Sequence, residues 1–187
     1  MSFMLLGILN SQAAGGAGGP AYDLIETVEA TSPVSSISFS GIPSDYKHLE
    51  IRYLAVGSSD GGIPNMYFNG DTASNYSSHV MTTIGTTRTA GSNTNDNKIN
   101  IGGYNVGNEN SLTLPFLGVV SITDANSTTK YKTSRAFYGI TESTASNSEV
   151  GFWSGNWRST SAITSINFGL GGINWAVGAR ISLYGVK

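Results

Sequence analysis

The chain contains no cysteine and few charged residues. The absence of cysteine excludes a disulfide framework and thiolate zinc sites, and it leaves the redox compartment undetermined. Charged residues make up 12% of the chain, whereas about 25% is usual in soluble domains. The ten lysines and arginines are scattered rather than clustered, and nucleic-acid binding needs several of them placed against phosphates. We therefore predict no nucleic-acid partner.

Apolar residues, in contrast, are abundant enough for a folded core. They make up 39% of the 187 residues, with 10% aromatic, and low charge indicates disorder only where apolar residues are also scarce. A chain of this length forms one domain with a sizeable core. Because Ser, Thr, Asn and 24 glycines replace the missing charges, we expect a neutral, hydrogen-bonding surface.

Residues 1–12 form a short apolar head. It is too short to span a bilayer and lacks the basic region of a signal peptide, so we predict no membrane insertion and treat a cleaved signal as the weaker alternative. An exposed apolar run of this kind promotes aggregation. We therefore predict a docking segment that is buried against another chain or a symmetry mate. Its apolar side chains are Phe3, Met4, Leu5, Leu6, Ile8 and Leu9.

The remainder of the chain divides into a linker and a β-rich domain. Residues 13–20 are Gly- and Ala-rich and end in proline, which is typical of a linker. From residue 21 to residue 187, short alternating apolar runs recur between turn residues, most clearly at Leu49, Ile51, Tyr53 and Ala55. About nine or ten such strands predict an all-β fold, an antiparallel β-sandwich or jelly roll.

Two details of this pattern become tests of the strand assignment. The pair Val150 and Phe152 alternates in the same way as the other apolar runs, and we include it among the strands. Residues 88–97 (RTAGSNTNDN) are polar throughout, and we predict a long surface loop there.

No residue pattern indicates catalysis or a bound ion. The two histidines, His48 and His79, stand alone, and the carboxylates are dispersed, mostly in turns. Asn93, Asn95, Asp96 and Asn97 offer oxygen ligands, but the order of a calcium loop is missing. We therefore predict a protein that is not an enzyme and that has no cofactor and no metal site.

Aromatic residues leave two interpretations open. With Asn and Ser donors, they suit a stacking platform for the rings of a neutral glycan. Trp153 and Trp175 equally suit the core or an interface between subunits, where large aromatics dominate the packing, and we favour that interior or interface position. The candidates are Tyr76, Tyr104, Tyr138, Trp153, Trp157 and Trp175.

Several segments together resemble a family of tailed-phage virion proteins that is common in marine and cyanobacterial phages. They include SISFSGIP at 36–43 and YKHLEIR at 46–52, and residues 3–12 resemble the short start of such proteins. The resemblance covers nearly the whole chain in order. The other matching segments are residues 22–27, 68–71, 75–79, 126–133, 155–166 and 182–186.

The resemblance implies a non-enzymatic β-sandwich displayed on a virion, assembled in the host cytoplasm and forming a homotrimer. As a tail appendage or fibre component, it would dock onto other virion proteins through residues 1–12 and bind a host surface glycan. As a capsid decoration protein, it would bridge capsomers. A secreted lectin-like module and a glycan-cleaving enzyme are the hypotheses from other classes. No catalytic residues follow from the resemblance.

The alternation at residues 49–55 gives a first testable prediction. Leu49→Asp or Ile51→Asp places an unpaired charge on the expected core face, so we expect either variant to abolish folding. Circular dichroism and thermal unfolding of the purified variants measure this. A variant that folds normally would show that the strand register is wrong.

Overall fold

The computed structural model describes residues 21–59, 61–103, 115–140 and 148–187. Within these ranges the chain forms twelve β-strands and no helix, and the named strands pair only in antiparallel fashion. The predicted all-β antiparallel class is confirmed. The docking segment and the linker lie outside the described residues. The strands are β1 (Tyr22–Glu29), β2 (Ser36–Ser40), β3 (His48–Ala55), β4 (Pro64–Phe68), β5 (Tyr76–Ile84), β6 (Thr87–Asp96), β7 (Ile99–Asn100), β8 (Phe116–Thr123), β9 (Lys132–Ile140), β10 (Glu149–Trp157), β11 (Ser165–Leu170) and β12 (Arg180–Val186).

The strands form two sheets of unequal size. The larger sheet has eight strands in the order β1-β12-β3-β8-β9-β10-β5-β6, and the smaller has four in the order β2-β11-β4-β7. Successive strands cross repeatedly between the sheets, since β1 and β3 belong to the larger and β2 and β4 to the smaller. This connectivity builds one hydrophobic core from both sheets, as in a β-sandwich.

Strand β3 follows the alternation that its sequence predicts. Leu49, Ile51 and Tyr53 are buried, whereas Arg52 is exposed on the opposite face. There the guanidinium of Arg52 pairs with the Glu50 carboxylate at 2.9 Å. The predicted register of this strand is confirmed.

Aromatic rings fill the space between the sheets. Phe39 and Phe168 of the smaller sheet meet edge to face, with ring centroids 5.8 Å apart. In the larger sheet, Phe116 stacks on Tyr138 at 5.3 Å and on Tyr53 at 6.1 Å. Contacts of this kind add to the stabilisation that burial of the rings provides.

Two of these rings lie over glycines in neighbouring strands. The Tyr53 ring occupies the space where a Cβ atom at Gly118 would lie, and the Tyr138 hydroxyl does the same at Gly151. The Tyr53 hydroxyl then reaches the backbone of Ile101 and donates a 2.6 Å hydrogen bond to its carbonyl. Glycine is needed at both strand positions because the aromatic ring approaches the backbone so closely.

A buried lysine joins two loops at one end of the sandwich. The Lys132 ammonium donates hydrogen bonds to the carbonyl oxygens of Ser127 (2.7 Å), Lys130 (2.8 Å) and Thr160 (3.2 Å). Burial lowers the pKa of this amine. Three acceptors compensate for its removal from water, so the loop after β8 is tied to the segment before β11.

The prediction of a surface loop at residues 88–97 is wrong, because this segment is most of strand β6. β6 is the edge strand of the larger sheet and pairs with β5 alone. Its side chains are largely exposed on both faces, so polar residues suit every position and no alternation marks the strand. Polar edge strands also resist pairing with other chains.

The glycine contacts give a second prediction. Gly118→Ala forces a methyl group into the Tyr53 ring, so we expect the free energy of unfolding to fall by about 1–3 kcal/mol. Gly139→Ala, in the neighbouring strand β9, is the matched control, since its nearest atom would be the Glu149 carbonyl oxygen at an ordinary 3.5 Å. We expect the control to be neutral or stabilising by up to about 1 kcal/mol. Urea unfolding compares the two, and equal stabilities would contradict the steric argument.

Candidate functional site

The candidate aromatic residues, for which the sequence leaves both glycan stacking and an interior or interface position open, lie mainly inside the molecule. Tyr76, Trp153, Trp157 and Trp175 are at most 5% exposed, and a buried ring cannot stack on a sugar at the surface. The stacking-platform interpretation is therefore corrected for these four residues. The interior alternative describes them instead, including Tyr138, which is also buried. Tyr104 and the docking residues of the head lie outside the described part of the chain.

The polar atoms of two of these rings hold the turn after β4. The Trp157 indole N–H donates to Asp71 Oδ2 at 2.8 Å, and the Tyr76 hydroxyl donates to the Asp71 carbonyl at 2.9 Å. The Phe68 backbone N–H in turn donates to the Tyr76 hydroxyl oxygen at 3.0 Å. The indole, followed by the side-chain amide of Asn75, lowers the pKa of the Asp71 carboxyl. These aromatics serve the architecture of the turn.

One carboxylate is buried in the larger sheet, at Glu149. It is 3% exposed, and its Oε1 accepts hydrogen bonds from Thr82 Oγ1 at 2.8 Å and from the Tyr138 hydroxyl at 3.0 Å. Its Oε2 has no hydrogen-bond partner among the described residues and lies against the backbone of Gly103. Burial raises the pKa of the Tyr138 hydroxyl. No sequence pattern indicates this cluster, because Glu149 occupies an inward position that an apolar residue usually fills.

The remaining candidates for chemistry do not converge. The His48 Nδ1 accepts a hydrogen bond from the Asp124 backbone at 3.1 Å, whereas His79 is exposed on β5, and strands β8, β9 and β10 lie between them. Within residues 21–59, 61–103, 115–140 and 148–187, no three His, Cys, Asp or Glu residues are grouped to hold a metal. The same ranges contain no helix long and apolar enough to cross a membrane.

The strongest candidate for a functional surface is an apolar patch on the outer face of the larger sheet. This face is the one turned away from the smaller sheet. Six large apolar side chains are 39–68% exposed there, on the neighbouring strands β8, β9, β10 and β5. We call them the outer-face patch. They are Leu117, Val119, Phe137, Val150, Phe152 and Met81.

Strand register arranges the outer-face patch in two adjacent rows. Val119 pairs with Phe137, Phe137 with Phe152, and Phe152 with Met81, which makes one unbroken apolar row across four strands. Leu117 and Val150 lie in the next row, on either side of Gly139. Cross-strand neighbours are only about 4.5–5.5 Å apart at their Cβ atoms. The six side chains therefore form one continuous surface.

Polar residues bound the outer-face patch along the sheet. The neighbouring row contains His79, Ser154, Arg135 and Ser121, one residue on each of the same four strands. Beside Met81 and Phe152 the surface sinks into a depression of about 490 Å³, whose border includes Arg88 of the edge strand β6. Exposed apolar patches with a polar rim mark interaction sites.

The strand that the sequence predicts at Val150 and Phe152 is confirmed as part of β10. The alternation did not show which face is buried, and both side chains point outward. The inward positions of the same strand are occupied by Glu149, Gly151 and Trp153. Gly151 and Glu149 serve the Tyr138 ring and its hydroxyl, so they do not fit an apolar pattern. Val150 and Phe152 are therefore the only large apolar residues that alternate at the start of this strand, although they face outward.

Comparisons with known proteins add little to this description. No family model matches the chain, and no curated protein matches it. A solved structure of a protein of unknown function from Shewanella oneidensis MR-1 is 10% identical and covers 88% of this chain and 75% of its own, with a TM-score of 0.22. A similarity this weak carries no argument about fold or function.

The outer position of the patch gives a third prediction. In a chain that lacks residues 1–12, Phe137→Ser removes a ring that is mostly solvent-exposed, so we expect the free energy of unfolding to change by no more than about 0.5 kcal/mol. Phe116→Ser, one strand away on the inner face, is the contrasting variant, because it empties a core position and should lose about 3–5 kcal/mol. Chemical unfolding measures both. Similar losses would show that the Phe137 ring is packed rather than free.

Proposed function

We propose that this chain is a non-enzymatic structural protein of a tailed-phage virion, and that its outer-face patch is a contact surface for another virion protein or a second copy. One observation carries the proposal. Large apolar side chains of the outer-face patch form an unbroken, solvent-exposed row across four strands. Soluble proteins rarely expose such a surface without a partner. Because these side chains are already partly buried, covering the rest of each one stabilises a contact by about half of the roughly 1.5–3 kcal/mol of full burial, before ordering terms.

The resemblance to phage virion proteins supports the setting. Its segments fall in both sheets, since SISFSGIP contains β2 of the smaller sheet and YKHLEIR runs into β3 of the larger. The similarity therefore concerns the whole sandwich rather than one loop. On this proposal the protein is made in the host cytoplasm, docks onto the particle through residues 1–12 and forms a homotrimer.

Two placements on the particle remain as candidates. A trimeric tail appendage is the first, and it would have to bind any host glycan with residues other than the four buried aromatics. A capsid decoration protein is the second. It is favoured by a specific observation: the patch lies on the face of a sheet, on β8, β9, β10 and β5, rather than at loop tips. Such a face suits packing against another broad protein surface.

The secreted-lectin hypothesis is weaker on the same ground. It depended on exposed Trp and Tyr rings, and Tyr76, Trp153, Trp157 and Trp175 are buried. We therefore keep the two virion placements and do not propose glycan stacking on these residues.

Particle incorporation tests the proposal. Removal of residues 1–12 is expected to leave a folded, soluble body that no longer joins the particle, because these residues supply the docking contact. Mass spectrometry of purified particles from complemented phage measures incorporation, and circular dichroism of the isolated variant checks folding. Wild-type levels of the truncated protein on particles would refute docking through the head.

Cryo-electron microscopy of the same particles distinguishes the placements. Many copies at capsomer junctions would identify a decoration protein, with the outer-face patch buried against its neighbours. A few trimers at the tail would identify an appendage. Absence of the full-length protein from the particle would overturn the virion proposal as a whole.

A further inference from the structure

The chain contains two apolar surfaces, and each of them favours association with other apolar surfaces when it is left uncovered. One is the outer-face patch. The other is the head, in which six of the seven residues 3–9 are large and apolar. Residues 1–20 contain no charged side chain, so the head brings no ionic group that would oppose burial in an apolar site. The two surfaces match in chemistry and in the number of large side chains.

The larger sheet places the start of the folded body on the same face as the patch. Tyr22, in β1, pairs with Val186, which lies four residues along β12 from Ser182. Ser182 pairs with Arg52, Arg52 with Val119, and Val119 with Phe137. Ser182 and Phe137 therefore lie in the same row on the outer face. Phe137 lies four strands away from Tyr22 across the sheet and four residues away along the strand direction. With about 4.8 Å between strands and about 3.3 Å per residue, the two residues are about 24 Å apart.

The linker is long enough to cover this distance. Residues 10–21 join the head to β1, and twelve residues span at most about 40 Å when extended. A glycine-rich chain of that length has a typical end-to-end distance of about 19 Å. The outer-face patch therefore lies within easy reach of the head of the same chain.

The surface between β1 and the patch also suits the linker. The linker would cross β12 and β3, where the outer face presents Ser182 and Arg52, with the Arg52 guanidinium lying over the Tyr184 ring. Residues 13–20 are Gly, Ala and Pro only, so they need no apolar contact along this path. On this face the exposed Tyr22 and Leu24 belong to β1 itself, so the head would meet a continuous apolar surface where the patch begins, at Val119.

We infer that residues 3–9 of the same chain cover the outer-face patch in the unassembled protein. A tether of this length gives an effective concentration in the millimolar range, which exceeds that of a second copy in dilute solution. Docking of the head onto a particle would uncover the outer-face patch. Both apolar surfaces would then become available for contacts only at the assembly site. The contact between head and patch does not depend on the proposed function. Its release by docking onto a virion rests on that proposed function.

Paired cysteines test the contact directly, because the native chain has no cysteine to compete. Leu5→Cys combined with Phe137→Cys is expected to form a disulfide within one chain under mild oxidation, since a disulfide requires Cβ atoms about 3.5–4.5 Å apart. Phe137 is mostly exposed, so the variant should fold. Electrophoresis without reductant, followed by peptide mass analysis, separates intrachain from interchain products.

Two matched variants make the result specific. Leu5→Cys with Ser38→Cys places the second thiol at an exposed position of the smaller sheet, and we expect its disulfide to form about tenfold more slowly. Adding Met81→Ser and Phe152→Ser to the first pair should lower its rate to the level of this control. Equal rates for the two cysteine pairs would overturn the inference, and so would a mainly interchain product, which would identify a second copy as the occupant.

A dye that binds exposed apolar surface gives an independent measurement. Removal of residues 1–12 is expected to raise the fluorescence of such a dye severalfold, and Met81→Ser with Phe152→Ser in the truncated chain should reverse the rise. No rise on truncation would contradict coverage of the patch by the head. Both experiments use purified protein, so their failure would leave the particle-incorporation result, and with it the proposed function, unaffected.

Discussion

The packing of aromatic rings between the two sheets is the constraint on which the rest of the structure depends. Phe116 stacks on both Tyr53 and Tyr138, and these tyrosines lie over glycines of neighbouring strands. A ring that approaches a backbone so closely requires glycine beneath it, and its hydroxyl then needs a polar partner. The Tyr53 hydroxyl finds the Ile101 carbonyl, and the Tyr138 hydroxyl finds a buried carboxylate.

This constraint on the core does not account for the large apolar residues of the outer-face patch. The inward positions of β10 are devoted to ring packing and contain Glu149, Gly151 and Trp153. Core formation therefore makes no demand on the outward positions, where polar residues would suffice. Phe152 and its cross-strand neighbours Phe137 and Met81 are nevertheless large and apolar. The contact that we propose outside the described body, with the chain's own head or with another protein, would account for them.

Sequence reasoning succeeded where one face of a strand is apolar and the other polar. That condition holds in β3, where the predicted core positions are buried, and it sufficed for the all-β antiparallel class. It fails in β6, which is exposed on both faces, and in β10, where a buried glutamate reverses the apparent pattern. The outer-face patch could not be predicted from the sequence. Its residues become neighbours only through the pairing register of four strands, and a local residue pattern contains no information about that register. The burial of Tyr76 and Trp157 likewise depends on Asp71, which is distant from Trp157 in the chain.

The pairing of β1 sets the order in which the protein can fold during synthesis. In the larger sheet β1 pairs with β12 alone, and β12 also lies between β1 and β3. The ribosome makes β12 after the other eleven described strands, so within the described body β1 has no partner, and one edge of β3 stays open, until β12 emerges. Folding is therefore expected to be late and highly cooperative, as is usual where pairing is non-local. A nascent chain stalled before residue 180 would present unpaired strand edges to the chaperones of the cell.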